Sequence, residues 1–105
     1  MKKEQVVDAS RSVPRGHWTT YQEVGEAVYR HRQAAQSVGN VLRDYGRADS
    51  AHRVLLADGK VSPRWTGDGG GPEECIRRLR AESAWDEGRR RARSDRFVRA
   101  DALRQ

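Results

Sequence analysis

The sequence predicts a mainly α domain with a small β hairpin, arranged as a helix-turn-helix followed by a wing. Two short helical patterns meet across the His31-Arg32 connector, and the second is rich in small residues and polar on its outer side. A run of branched apolar residues leads into Asp58-Gly59, a dipeptide favoured in tight hairpin turns. A further helical pattern then opens on Pro72, a residue suited to the first helical turn because its missing amide has no intrahelical partner there.

Taken in order, residues 3–13 read as a first helix whose apolar side is Val6, Val7 and Val13. Pro14-Arg15-Gly16 stops it, because proline pushes its predecessor out of the helical region. Thr20-Tyr21-Gln22-Glu23 fits a capping box, with Thr20 accepting a free amide and Glu23 reaching back. The helix it opens carries Val24, Ala27 and Val28 on one stripe. A third helix is expected from about Gln33, burying Ala34, Ala35, Val38, Val41 and Leu42, with Gln36, Asn40 and Arg43 outward. Gly39 inside that helix is expected to mark the close approach of another backbone, since glycine there costs roughly 1 kcal/mol relative to alanine. Tyr45 to Ser50 reads as a polar loop, His52 to Ala57 as one strand and Lys60-Val61-Ser62 as its hairpin partner. In the last helix Glu73 and Glu74 complement the positive N-terminal end, Cys75, Ile76 and Leu79 face inward, and Arg77, Arg78 and Arg80 face outward.

At 105 residues the chain is read as one domain, 1–105, with an Arg-rich tail from about residue 86 that is expected to be partly disordered. Ile76 to Gln105 holds ten arginines against five acids. The whole chain has a formal charge of +6 and a mean hydropathy of −1.00, with arginine far outnumbering lysine. That balance favours a polyanion, nucleic acid ahead of an anionic membrane, over a merely solvated basic surface. The single cysteine, Cys75, excludes an internal disulfide and argues against a structural zinc site. No apolar run reaches the length of a membrane span, and the N-terminus opens no signal-like segment. A reducing cytoplasmic location is expected, nucleoid-associated in a bacterium. Thr66 to Gly71 is not a nucleotide-binding fingerprint, because it lacks the P-loop lysine and a preceding strand.

Val13-Pro14-Arg15-Gly16, Thr19-Thr20-Tyr21, Ala34-Ala35-Gln36-Ser37-Val38-Gly39, His52-Arg53-Val54, Asp58-Gly59 and Gly70-Gly71 follow one another in an order that resembles a known family. Over roughly residues 4–99 the chain is similar to the DNA-binding domain of O6-alkylguanine-DNA alkyltransferases. The resemblance implies a winged helix-turn-helix that enters the minor groove and rotates a damaged guanine out of the stack, where its alkyl group becomes reachable. Those enzymes carry Pro-Cys-His-Arg, the cysteine accepting the alkyl group. Here the matching residues are Ser50, Ala51, His52 and Arg53, so no acceptor thiol is present at that position. Ser50 is a poor substitute, because its hydroxyl stays protonated at neutral pH. The departure resembles the alkyltransferase-like proteins, which bind O6-alkylguanine without repairing it and are associated with nucleotide excision repair.

The resemblance also implies residue roles. Tyr21 matches the tyrosine that helps turn the target nucleotide, its plainer reading being a half-buried aromatic. Gln36 falls where the family has an arginine finger; glutamine wedges without charge, and Arg32 or Arg43 would have to compensate. Ser37, Gly39 and Asn40 lie where the recognition helix nears the groove. Arg64, in a Ser-x-Arg setting, matches an arginine that reads the modified guanine, and Trp65 lines the pocket or covers the core. His52, Arg53 and Glu82 are expected to persist as scaffold, with Glu82 paired to one of the other two. The implied partners are double-stranded DNA carrying O6-alkylguanine and nucleotide excision repair proteins, bound by a monomer with no cofactor, metal or membrane. Against this stands a DNA-binding module, architectural or regulatory, without lesion selectivity. Alkyl transfer through Cys75 is disfavoured, since that residue falls on a buried helix face.

Overall fold

A computed structural model of the chain describes residues 3–45, 51–66 and 70–103. Four α-helices frame it: α1 (Lys3–Arg11), α2 (Tyr21–Tyr29), α3 (Ala35–Tyr45) and α4 (Pro72–Ala81). Two small sheets join them. β1 (Thr19–Thr20) pairs in parallel with β2 (Val54–Leu55), and β3 (Trp85–Asp86) pairs antiparallel with β4 (Arg91–Ala92). The expected class, mainly α with a small hairpin on a winged-helix plan, is the one observed.

The β1–β2 pair divides the interior. Adjacent residues of a strand face opposite sides, so Val54 joins a core of Val6, Val13, Val24, Val28, Val38 and Leu42 from the first three helices. Leu55, on the opposite face, joins Trp18, Ala51, Trp65, Cys75 and Leu79. Thr20 caps α2 as expected, its Oγ1 accepting the Glu23 amide at 3.1 Å. Glu23 departs from the capping box. Its carboxylate accepts Arg32 at 2.8 Å and the Ala100 amide at 2.7 Å, tying the turn after α2 to the C-terminal segment. The tight seam between α2 and the 3-10 turn Arg32–Ala34 lies at Gly25, where an added Cβ would sit 3.1 Å from the His31 carbonyl.

Several expectations are corrected. The hairpin foreseen between residues 52–57 and 60–62 forms only as a turn, closed by Leu56 N–H to the Lys60 carbonyl at 3.0 Å. Ala51–Arg53 is a 3-10 turn, and β2 is drawn instead to β1, where both faces are buried. The antiparallel hairpin lies in β3–β4, within the segment read as a partly disordered tail. Residues 86–103 fold back along β1: Trp18 bridges to Phe97, Thr19 Oγ1 donates to the Val98 carbonyl at 2.7 Å, and Leu103 enters the helical core. No foreign backbone lies against Gly39: a Cβ added there would meet only the Tyr21 ring, at 3.8 Å. Arg78 does not project outward; its side chain is 17% exposed and its guanidinium lies 5.9 Å from the Trp65 ring centroid. Pro72, Glu73, Glu74, Cys75 and Leu79 occupy α4 as expected. No helix among the described residues is long and apolar enough to cross a membrane.

Candidate nucleic-acid interface

A cleft of about 290 Å³ opens between the start of α2, the outer face of α3 and the segment after the 56–60 turn. Its size lies beside the roughly 300–1,000 Å³ of small-molecule sites. Tyr21, Gln36, Gly39, Asn40, Arg43, Ala51, Arg64 and Trp65 all line it, so most of the residues singled out in the sequence come together here. Ser37 is exposed on α3 but does not line the cleft, and Ser50 lies outside the described residues. Leu56, Ser62, Gln22, Ala35, Leu42 and Thr66 also line it and were not anticipated as such, although Ser62 stood within the Ser-x-Arg pattern.

The cleft has an apolar floor and a polar rim. Trp65 is fixed as one wall by its indole N–H, which donates to the Ala51 carbonyl at 3.2 Å, with the Arg78 cation over its ring. Ser62 Oγ accepts the Arg64 amide at 3.2 Å, leaving the Arg64 side chain exposed at the mouth. Burial, with Cys75 close by, raises the Tyr21 phenol above its usual range, so it remains a protonated hydrogen-bond donor. Gln36, Asn40 and Arg43 sit exposed along α3, a row of side chains each carrying N–H donors.

Behind the floor, Glu82 gathers three donors. Arg53 forks onto both carboxylate oxygens at 3.0 and 2.8 Å, His52 Nε2 lies 2.7 Å away, and the Gly16 amide donates at 3.1 Å. Burial alone would raise the Glu82 pKa, but hydrogen bonds from Arg53, Gly16 and His52 outweigh it and hold it at about 2. Burial lowers His52, more than its bond to Glu82 raises it, so the ring is neutral. Nε2 then carries the proton toward Glu82, and Nδ1 is left with no hydrogen-bond partner among the described residues. Cys75 is fully buried and its thiol is pushed up to about 12 by that burial, which leaves it inert as a nucleophile. Its Sγ donates to the His52 carbonyl at 3.5 Å, so it packs beneath the floor. Among the described residues no group of His, Cys, Asp and Glu is placed to hold a metal ion.

The pattern of the family described as 6-O-methylguanine DNA methyltransferase, DNA binding domain, matches residues 2–84. No curated protein sequence matched the chain. Among solved structures the chain is similar to S. pombe Atl1 in complex with damaged DNA containing O6-carboxymethylguanine. That match has a TM-score of 0.66 at 26% identity and covers 78% of this chain and 75% of the other. It is also similar to the Mycobacterium tuberculosis O6-methylguanine methyltransferase, with a TM-score of 0.58 at 25% identity, covering 89% of this chain and 51% of the other.

Proposed function

Because the chain belongs to the family of the 6-O-methylguanine DNA methyltransferase DNA-binding domain, we propose that it holds an O6-alkylguanine base, rotated out of duplex DNA, without altering it. The observation that carries this reading is the floor of the cleft. Ala51 stands where, on the resemblance around His52-Arg53-Val54, the alkyltransferases carry their acceptor cysteine, and it is buried at the base of a base-sized recess. The His52–Glu82 pair sits behind it with no thiol to activate. An alanine there has no reactive group and takes little room, which suits a site for bulky alkyl groups. Tyr21 crowds the rotated nucleotide's phosphate and offers it a neutral phenol. Arg64 donates to the exposed base edge, and Trp65 provides the flat wall on which a base stacks. The bound lesion is then presented to nucleotide excision repair proteins.

Competition binding tests this. Duplexes differing only at one guanine are expected to separate by roughly tenfold or more in favour of O6-methylguanine, the range that a few pocket contacts supply. Equal affinities would overturn the lesion reading.

Gln36 favours a second reading, a DNA-binding module blind to lesions, because an uncharged finger stabilises the vacated base position less well. Arg64→Ala separates the two. A lesion reader loses roughly tenfold on the damaged duplex alone, whereas a phosphate contact weakens every duplex and lowers the salt slope by about 1.

Gly39 supplies a further test. Its added Cβ meets only the Tyr21 ring, at ordinary van der Waals distance. Gly39→Ala is therefore expected to stabilise the fold by about 0.5–1 kcal/mol. The same methyl narrows the cleft beside Tyr21, so duplex affinity is expected to fall while the melting temperature rises. Thermal melts and a duplex titration on one preparation check both halves.

A further inference from the structure

We infer that the tip of the β3–β4 hairpin, through Arg90 and Arg91, is a second contact for DNA phosphates, placed beside the cleft and outside the matched residues 2–84. The inference rests on duplex binding as proposed above and adds a surface to it.

The hairpin is held in place against the turn that leads out of the cleft. The Ala92 amide donates to the Gly59 carbonyl at 2.9 Å, and the Arg93 amide to the Ala84 carbonyl at 2.8 Å. Trp18 locks the same corner, donating its indole N–H to the Arg93 carbonyl at 2.7 Å. Gly59, with φ of 83°, lies so close to Trp18 that an added Cβ would be 3.2 Å from the ring. Leu56 at one end of this turn and Ser62 beyond its other end both line the cleft. Lys60, exposed between them, connects the cleft mouth to the hairpin.

The acids nearby are already engaged. Asp86 accepts the Arg89 amide at 3.2 Å and faces its guanidinium, Glu87 accepts two hydrogen bonds from Arg80, and Asp95 pairs with Arg93 at 2.9 Å. Asp58 accepts the Lys60 amide at 3.0 Å. Among the described residues no carboxylate comes within ion-pair distance of Lys60, Arg90 or Arg91, although the Arg90 charge is near enough to help lower the Glu87 pKa. Arg91, half-buried, lies along a shallow cleft with Trp18 and Phe97, and Arg90 is exposed. Guanidinium groups presented on a fixed hairpin match phosphate oxygens in planar, two-toothed geometry.

Arg90 also occupies a backbone conformation that suits glycine, with φ of 54°. Among the described residues the two other non-glycine residues with positive φ, Arg30 and Ser83, follow helix ends, a common place for that conformation. Arg90 instead closes a hairpin loop, where a non-glycine residue in that conformation carries a local backbone cost.

That strain makes Arg90→Gly a clean test, since it removes the charge and relieves the backbone together. Binding would be titrated against salt with undamaged and O6-methylguanine duplexes, alongside thermal melts. The variant is expected to melt at or above the wild-type temperature. It should bind both duplexes about three- to tenfold more weakly, with a salt slope smaller by about 1. Arg90→Lys, which keeps the charge, should stay near wild type. A wild-type chain that binds duplex, with Arg90→Gly equal to it in affinity and slope, overturns this inference alone. Equal weakening by Arg90→Lys and Arg90→Gly overturns it as well, since charge would not be the cause. A wild-type chain that binds neither duplex overturns the proposed function and this inference with it.

Discussion

Replacing Glu82 with alanine is expected to cost on the order of 3–5 kcal/mol, the range for removing one partner of a buried ion pair. That is a large share of the roughly 5–15 kcal/mol that holds a domain folded. Glu82 is the common acceptor for Arg53, His52 and the Gly16 amide, and its side chain is 5% exposed. Without it the Arg53 guanidinium keeps, among the described residues, only the Val13 carbonyl, at 3.1 Å. Chemical denaturation at neutral pH measures the loss. Acid titration of the wild type gives the same group a second signature. The folded state holds Glu82 at about 2 against an ordinary 4.5, so its contribution is full above 4.5 and is lost as pH falls toward 2. His52 acts in the same direction at higher pH. Its folded pKa lies below the ordinary 6.5, so the unfolded chain takes up the proton first and stability declines as pH drops beneath that value. Glu82→Gln should flatten the lower part of this decline.

Trp65→Ala carries the other large effect, about 3–5 kcal/mol of stability from truncating a buried indole. Trp65 is 5% exposed and packs with Ala51, Leu55 and Cys75 in the second core. The same change removes the flat wall of the cleft and exposes the edge of Arg78 to it. Trp65→Phe keeps a ring while losing the bond to the Ala51 carbonyl, and is expected to cost about 0.5–1.5 kcal/mol for that bond. If the wall holds a base, the alanine variant loses affinity for O6-methylguanine duplexes and the phenylalanine variant keeps most of it. Melting curves and the duplex competition assay distinguish packing from binding.

Local chemistry was readable wherever its partners are close in the chain. Thr20 as a cap and Pro72 with Glu73 and Glu74 at the start of α4 stand where spacing and charge place them. The β1–β2 pair was not readable, because two residues per strand show no alternation and the partners lie far apart in sequence. Glu23 misled for a related reason. A carboxylate three residues after a threonine looks like the return half of a capping box, yet Arg32 and Ala100 offer it stronger donors that only the tertiary fold brings near. Arginine density hid the order of residues 86–103, since charge patterning reports solvation and says nothing of Ala92, Val98 and Leu103 between the charges. Most of the cleft was foreseen through family resemblance, because Tyr21, Gln36, Ala51 and Arg64 come from four separate segments that no periodicity links.

The clamp from Glu23 to Ala100 changes where this protein can be cut. The family pattern matches only as far as residue 84, which invites a fragment ending there. Such a fragment would strip Thr19 of its Val98 acceptor, take Leu103 out from among the first three helices, and leave the Glu23 carboxylate without the Ala100 amide, held by Arg32 alone. The smallest portable form of the fold therefore runs at least to Leu103. Chimeras with relatives would have to exchange the helix-turn-helix and the C-terminal segment as one piece.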